Sequence, residues 1–299
     1  MKSSEKTIQA PAKINLYLAV KGKRSDGYHE LESVMQKLAL ADSVRIRVEE
    51  GTGISLSCPG SDLPEDATNL AWRAAQLFMA ETGVDCRVKI VLEKNIPVAA
   101  GLGGGSSDAA AVLRALDDLL ATNLGEERLL GMALQLGADV PFFVKKNLSA
   151  ALAEGVGERL TSALGINDCE VILVKPGFGV STKWVFDNFA LTTNSNPYIL
   201  APEKDCQSGR YSGSEVDFLQ QAGPDGFFND LESVTVAHYP EIAEIKKLLL
   251  ADGALVSLMS GSGPTVFGIF TDSVKAAACY EKFSRRYGKN VFLTVPSRS

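Results

Sequence analysis

Ala100-Gly101-Leu102-Gly103-Gly104-Gly105-Ser106-Ser107-Asp108 leads directly into Ala109, Val112, Leu113, Leu116 and Leu120, an apolar stripe at helical spacing. Four glycines in this run let the backbone turn tightly and bring N–H groups close to a ligand with no Cβ in the way. The loop opens a helix, whose free N–H groups and positive dipole end favour an anion. Ser106 and Ser107 offer a helix cap, or hydroxyls for a phosphate or a metal ion. The plain alternative is a flexible turn with a serine cap, and the order strand, glycines, serines, helix argues against it. Two other phosphate-binding signatures are excluded. No lysine follows the glycines as GxxxxGK[ST] requires, and no GxGxxG is present.

Outward from this loop the chain reads as mixed strands and helices. Toward the N-terminus, Lys13-Ile14-Asn15-Leu16-Tyr17-Leu18-Ala19-Val20 alternates large aliphatics with other residues, the period of a half-buried strand. Lys13 and Asn15 therefore share one face, opposite Ile14, Leu16 and Leu18. Val44–Val48 and Cys86–Ile90 alternate likewise, and Leu70, Ala74, Leu77 and Phe78 mark a helix over Asn69–Ala80. Beyond the loop, a second helix over Glu126–Leu136 is predicted to stop at Gly137. Val171–Val174 reads as a strand, and residues 192–213 are rich in turn formers and read as a long surface excursion. A helix near Ile242–Leu250, the apolar run Ala254–Met259, the small-residue loop Ser260-Gly261-Ser262-Gly263-Pro264 and a strand Thr265–Phe270 complete the pattern. Strands and helices without strict alternation point to an α+β fold. The length of 299 residues fits one large domain or two ordinary ones, and a boundary near 160–168 divides it about equally.

Composition narrows the function classes. Hydrophobic residues at 45% and charged residues at 22% are values of a globular chain, and no run approaches the ~20 apolar residues that span a bilayer. The N-terminus is too polar for a secretory signal, so a cytoplasmic location without membrane attachment is expected. Five scattered cysteines without a CxxC pair, and two histidines without HExxH, argue against a disulfide framework, a zinc site and histidine-based metal chemistry. A net charge of −6 gives no footprint for nucleic acid. An anionic ligand must be held by a local site.

Further polar residues have chemistry to offer. Asp139, in Gly137-Ala138-Asp139-Val140-Pro141-Phe142-Phe143, follows a helix end and precedes an apolar run, where a carboxylate can be partly desolvated and act as a general base; the alternative is a turn-forming Asp before proline. Lys13 and Asn15 are either functional or a solvent-facing edge. Tyr28 and His29, in Asp26-Gly27-Tyr28-His29, pair a stacking surface with a hydrogen-bonding ring after a turn; ordinary packing is the alternative. The loop Ser260–Gly263 is a hairpin turn or a second ligand loop.

Taken together these blocks resemble the GHMP kinases: Pro11-Ala12-Lys13-Ile14-Asn15-Leu16, Asp26-Gly27-Tyr28-His29, the loop Pro97 to Asp108, Gly137 to Phe143, Ala153-Glu154-Gly155-Val156-Gly157-Glu158 and Ser260-Gly261-Ser262-Gly263-Pro264. They cover most of the chain in order and fade over residues 185–225. The resemblance implies a two-domain α+β fold, with an N-terminal ATP-binding domain over 1–164 containing a left-handed crossover and a C-terminal α+β sandwich over 165–299. It implies ATP with Mg²⁺, the triphosphate lying over Gly101, Leu102, Gly103, Gly104, Gly105, Ser106 and Ser107 with Pro97, Ala99 and Ala100 leading in. Lys13 and Asp139 match the family's catalytic pair, and Tyr28 and His29, with Asn15 nearby, match residues holding a cytidine-bearing substrate. The DGYHEL and GADVPFF segments favour the branch acting on the 2-hydroxyl of 4-diphosphocytidyl-2-C-methyl-D-erythritol over those acting on homoserine or mevalonate. The metal ligands are not identified, Ser107 being one candidate. Expected partners are this small molecule alone, with the chain a monomer or weak homodimer. A regulator that kept the fold as a nucleotide or metabolite sensor and lost catalysis is the alternative.

Overall fold

The computed structural model describes residues 3–189 and 217–298, so the turn-rich stretch 192–213 lies outside the described residues. In chain order, β1 (Ser4–Lys23), β2 (His29–Glu49) and β3 (Ile54–Ser57) precede α1 (Leu70–Thr82), β4 (Arg87–Glu93), α2 (Gly104–Leu120), α3 (Gly125–Leu136) and α4 (Val140–Val144). Next are β5 (Ala150–Gly155), β6 (Arg159–Ser162), β7 (Glu170–Val174), α5 (Thr182–Asn188), α6 (Phe218–Ala222) and β8 (Phe228–Asn229). The chain continues through α7 (Glu232–His238), α8 (Glu241–Ala251), β9 (Val256–Met259), β10 (Val266–Phe270), α9 (Ser273–Tyr287) and β11 (Val291–Thr294). Strands and helices do not alternate, and the fold is α+β. None of the described helices is long and apolar enough to cross a membrane.

Two compact units divide these elements, and the division is not a single cut in the chain. The first unit comprises the described residues of Met1–Ala12, Leu40–Val98 and Gly103–Asn147. The second comprises those of Lys13–Ala39, Ala99–Leu102 and Leu148–Ser299.

In the first unit, β2 pairs antiparallel with β4 from Ser43↔Glu93 to Glu49↔Arg87, and β3 lies parallel to β4. Asn69 caps α1 by accepting from the Ala71 N–H, and Gly83 ends it in the left-handed conformation. Helix α2 packs against α1 and α4. Ala109, Val112, Leu113 and Leu116 of its apolar stripe are buried. Helix α3 stops at Gly137, as its sequence predicts.

The start of α2 is anchored by charge. Lys94, just past β4, pairs with both Asp42 and Asp108, its Nζ lying 2.6 Å from Asp108 Oδ2. Asp42 Oδ1 also accepts from the main-chain N–H groups of Asn95 and Ile96, at 2.6 and 2.8 Å. Both oxygens of Asp42 thus have partners, whereas Asp108 Oδ1 is buried with no hydrogen-bond partner among the described residues. Two carboxylates share one ammonium away from water, and the poorer-served one takes up a proton most readily. Burial pushes the Asp108 carboxyl up to about 7, Lys94 opposing the shift and the Asp42 charge adding to it.

In the second unit, β7, β9, β10 and β11 form an antiparallel sheet in the order β11-β7-β10-β9. Helices α8 and α9 pack on it around Ile245, Leu249, Phe270, Cys279 and Phe283. The same unit holds the pairing of β2 with β5 from Leu31↔Gly155 to Gln36↔Ala150, the β5–β6 hairpin, and parallel β1–β8 at Tyr17 and Leu18. In the hairpin turn the Glu158 carboxylate accepts from the Val156 N–H at 2.6 Å.

A group that binds its proton more tightly in the native state than in the unfolded chain loses stability as pH rises between the two pKa values. Asp108 spans the window from the unfolded value of about 4 to its native value. Native stability is therefore expected to fall as pH is raised across that window, and Asp108→Asn to flatten the decline. Urea unfolding of both proteins between pH 4 and pH 8 checks this.

Candidate functional site

Three sequence-distant blocks meet in the second unit. On β1, Lys13 and Asn15 lie two residues apart on one face, as the alternation requires. That alternation also predicts a strand with one face in water, and here the structure differs: every residue from Lys13 to Val20 is buried. Lys13 and Asn15 retain only 5% and 3% exposure, so the solvent-facing alternative fails. A strand covered on both faces must supply partners for its polar side chains. Lys13 Nζ donates to Asn15 Oδ1 at 2.6 Å, and Asn15 Nδ2 donates to Ser33 Oγ at 2.8 Å. Ser33 in turn donates to the carbonyl of Tyr17 at 2.7 Å.

The Lys13 main-chain N–H donates to the Leu102 carbonyl at 2.9 Å, tying β1 to the first part of the glycine loop. Ser260 Oγ donates to the Gly101 carbonyl at 2.9 Å. Gly101 has a φ of +75°, and a Cβ there would run into the carbonyl oxygen of Ser260. A Cβ on Gly261 would lie 3.5 Å from Asn15 Oδ1 and 3.7 Å from Lys13 Nζ. Asn229 holds this second loop by donating through Nδ2 to the carbonyls of Met259 and Gly261, each at 2.8 Å. The segment 260–264 is thus both a hairpin connection and a wall beside Lys13. Sequence reading missed Ser33 and Asn229. Each is a single small polar residue with no spacing signal, and only the fold shows what it touches.

Tyr28 and His29 lie in the same unit. His29 opens β2, and its ring stacks on Phe186 of α5, with centroids 5.1 Å apart and planes at 27°. Burial, with the Lys23 charge, holds the imidazole below its ordinary range and so neutral at pH 7. Tyr28 is 65% exposed, a flat ring open to a ligand. Phe186 is a further aromatic that sequence reading missed, because it lies in the segment where the motifs fade.

The first unit carries Pro97, the remainder of the loop and Asp139. Gly103, at a φ of +71°, is the N-cap of α2, with no side-chain cap. Ser106 and Ser107 are therefore the third and fourth residues of the helix. Of the two roles open to the serines, capping is thereby excluded, because left-handed Gly103 lets the helix begin earlier. Ser107 Oγ is buried and has no hydrogen-bond partner among the described residues. A Cβ on Gly104 would lie 3.1 Å from Ile96 Cγ2, whereas one on Gly105 meets nothing within 4 Å. Asp139 is half-buried at the start of α4 and does not cap it. The N–H groups of Gly104, Gly105 and Ser106 open α2 without intrahelical acceptors, an arrangement that suits phosphate oxygens.

Comparison with known proteins agrees with this chemistry. Residues 69–147 match the model for the GHMP kinases N terminal domain, and residues 217–290 match that for GHMP kinases C terminal. A 4-diphosphocytidyl-2-C-methyl-D-erythritol kinase of Geobacter sp. (strain M21) is 45% identical over 94% of this chain and 95% of its own. The enzyme of the same name from Syntrophotalea carbinolica is 44% identical over 96% and 97%. A crystal structure of 4-(cytidine 5'-diphospho)-2C-methyl-D-erythritol kinase superposes with a TM-score of 0.75 at 34% identity, covering 98% of this chain and 100% of that one. A homoserine kinase from Cytophaga hutchinsonii, at 19% identity and a TM-score of 0.71, shares the fold. With both family segments present and likeness extending over nearly its whole length, this chain belongs to the GHMP kinases.

Proposed function

We propose that this chain transfers the γ-phosphoryl group of ATP to the 2-hydroxyl of 4-diphosphocytidyl-2-C-methyl-D-erythritol, a step in non-mevalonate isoprenoid synthesis, in the cytoplasm. The observation that carries this reading is the near full-length likeness to relatives named for that substrate. We divide the chain into an ATP-binding domain over 1–164 and a C-terminal domain over 165–299, since the two family matches fall on either side. We expect a monomer or weak homodimer. The presence of both Lys13 and Asp139 favours catalysis over an inactive sensor.

Phosphoryl transfer asks a protein to position two anions and stabilise spreading charge. Pro97 and the backbone of Ala99 to Ser107 bind the triphosphate, the N–H groups at the start of α2 facing its oxygens. Mg²⁺, when bound, neutralises phosphate charge, and the buried hydroxyl of Ser107, a hard oxygen without a protein partner, fits such an ion. Asp139 accepts the proton of the attacking hydroxyl, and Lys13 offsets charge on the transferring group. Asn15 lies on the acceptor side. Tyr28 stacks on the cytosine ring, and the neutral imidazole of His29 can donate at one nitrogen and accept at the other along the base's polar edge.

Three outcomes follow from these roles. Asp139→Asn is expected to lower kcat by ~10²–10⁴-fold, the usual cost of losing a general base, with ATP affinity nearly intact; ADP release and calorimetry give the two readings, and near-wild-type turnover refutes the assignment. Gly105→Ala separates loop function from loop packing. Its Cβ meets nothing among the described residues, and Ala is favoured over Gly by up to about 1 kcal/mol at a helical position. The variant should be more stable in thermal melts yet bind ATP more weakly; unchanged ATP affinity rules out phosphate approach at this position. Tyr28→Ala is expected to raise KM for the diphosphocytidyl substrate about tenfold or more, since base stacking is worth ~1–3 kcal/mol. Base binding is nearly equal in ground and transition states, so kcat should change less. Equal wild-type kcat/KM for an analogue lacking the cytosine would refute base recognition.

A further inference from the structure

Ser33 belongs to none of the motif blocks. It lies on β2, its backbone fixed by pairing opposite Ala153 of β5, and it is 5% exposed. Its hydroxyl has two neighbours on β1, the Tyr17 carbonyl at 2.7 Å and the Asn15 amide at 2.8 Å. A carbonyl only accepts, so the single hydroxyl proton of Ser33 goes to Tyr17. Toward Asn15, Ser33 can therefore present only lone pairs. The Asn15 amide must turn an N–H to Ser33, which directs its Oδ1 to Lys13 Nζ, 2.6 Å away. The other end of the chain makes the same demand, because an ammonium can only donate. A flipped amide would set oxygen against oxygen at Ser33 and N–H against N–H at Lys13. With Asn15 and Lys13 both buried, water is poorly placed to relieve either clash.

We propose that Ser33 is a positioning residue: its hydroxyl fixes which way the Asn15 amide faces and so holds the Lys13 ammonium in register for phosphoryl transfer. This rests on the role given to Lys13 above. The chain of donors runs in one direction, from Lys13 through Asn15 and Ser33 to the Tyr17 carbonyl, and each side chain in it has one orientation that satisfies both neighbours. Removing the hydroxyl leaves the amide N–H without its acceptor and the amide held from the Lys13 side alone, so the Lys13–Asn15 pair loosens together, while the strand pairing that carries Ser33 stays in place.

The test compares Ser33→Ala, Ser33→Cys and Ser33→Thr in the full-length protein. Cysteine fills the space of serine but accepts hydrogen bonds poorly; threonine keeps the hydroxyl. Ala and Cys are expected to lower kcat about tenfold, the effect of one buried hydrogen bond, and Thr to restore it. KM for ATP and for the diphosphocytidyl alcohol should stay within about twofold, because the effect falls on a group engaged in the transition state. In parallel, the Asn15 side-chain amide signal in ¹⁵N spectra, assigned by its loss in Asn15→Asp, should exchange slowly in wild type and Thr and lose that protection in Ala and Cys. Wild-type kcat and an unchanged amide signal in Ser33→Ala overturn the proposal, as does rescue by Cys as complete as that by Thr. A wild-type protein that leaves the diphosphocytidyl alcohol untouched overturns the substrate reading instead, and the amide signal then decides on Ser33 alone.

Discussion

An ammonium group buried on a strand with both faces covered governs the second unit. Burying a lone charge is costly unless hydrogen-bonded partners are built around it. Lys13 is met by the Asn15 carbonyl oxygen, and the loop carrying Gly261 comes within a side chain's width of both. Gly261 gives that loop its left-handed turn, at a φ of +56°, and the loop stays in place because Asn229 ties down two of its carbonyls. The need to serve one lysine thus accounts for residues on β1, β2 and β8 and in the β9–β10 connection.

The glycine loop looks uniform in sequence, but its glycines answer different constraints. Gly101 is required by the protein, since its left-handed backbone lies against the Ser260 carbonyl. Gly103 is required by the helix, which starts from its left-handed N-cap. Gly104 is held tight by Ile96, itself pinned through its N–H to Asp42. Gly105 meets nothing among the described residues, so packing makes no demand for glycine there. Packing distances thus separate the glycines that this motif needs for its own fold from the one on which the fold makes no demand.

Charge is distributed with similar economy in the first unit. Lys94 is shared by two carboxylates of unequal surroundings, Asp42 satisfied by backbone N–H groups and Asp108 left with an orphan oxygen. The pairing joins the residue just past β4 to the second turn of α2 and so ties the early part of that helix to the sheet. Electrostatics here act as a fastener for the early part of the helix and need no contact with a ligand to matter.

Local signals were enough for the sequence to determine the α+β class, the glycine loop leading into α2, the stop of α3 at Gly137, the strand bearing Lys13 and Asn15, and the GHMP kinase family. Each depends on spacing within one segment: a period of two or 3.6, a glycine after an apolar stripe, a short motif. Tertiary structure alone decided that β1 is buried on both faces, that Ser107 lies inside its helix, that Phe186 stacks on His29, and that Ser33 and Asn229 support Lys13 and its loop. These facts depend on contacts between residues far apart in the chain. Asn229 is an ordinary asparagine until two carbonyls some thirty positions away arrive at its amide, and Ser33 is an ordinary serine until β1 lies beside it. Periodicity reports which face of an element is apolar; it carries no record of what the polar face will meet, and a hydrogen bond between distant strands leaves no spacing to read.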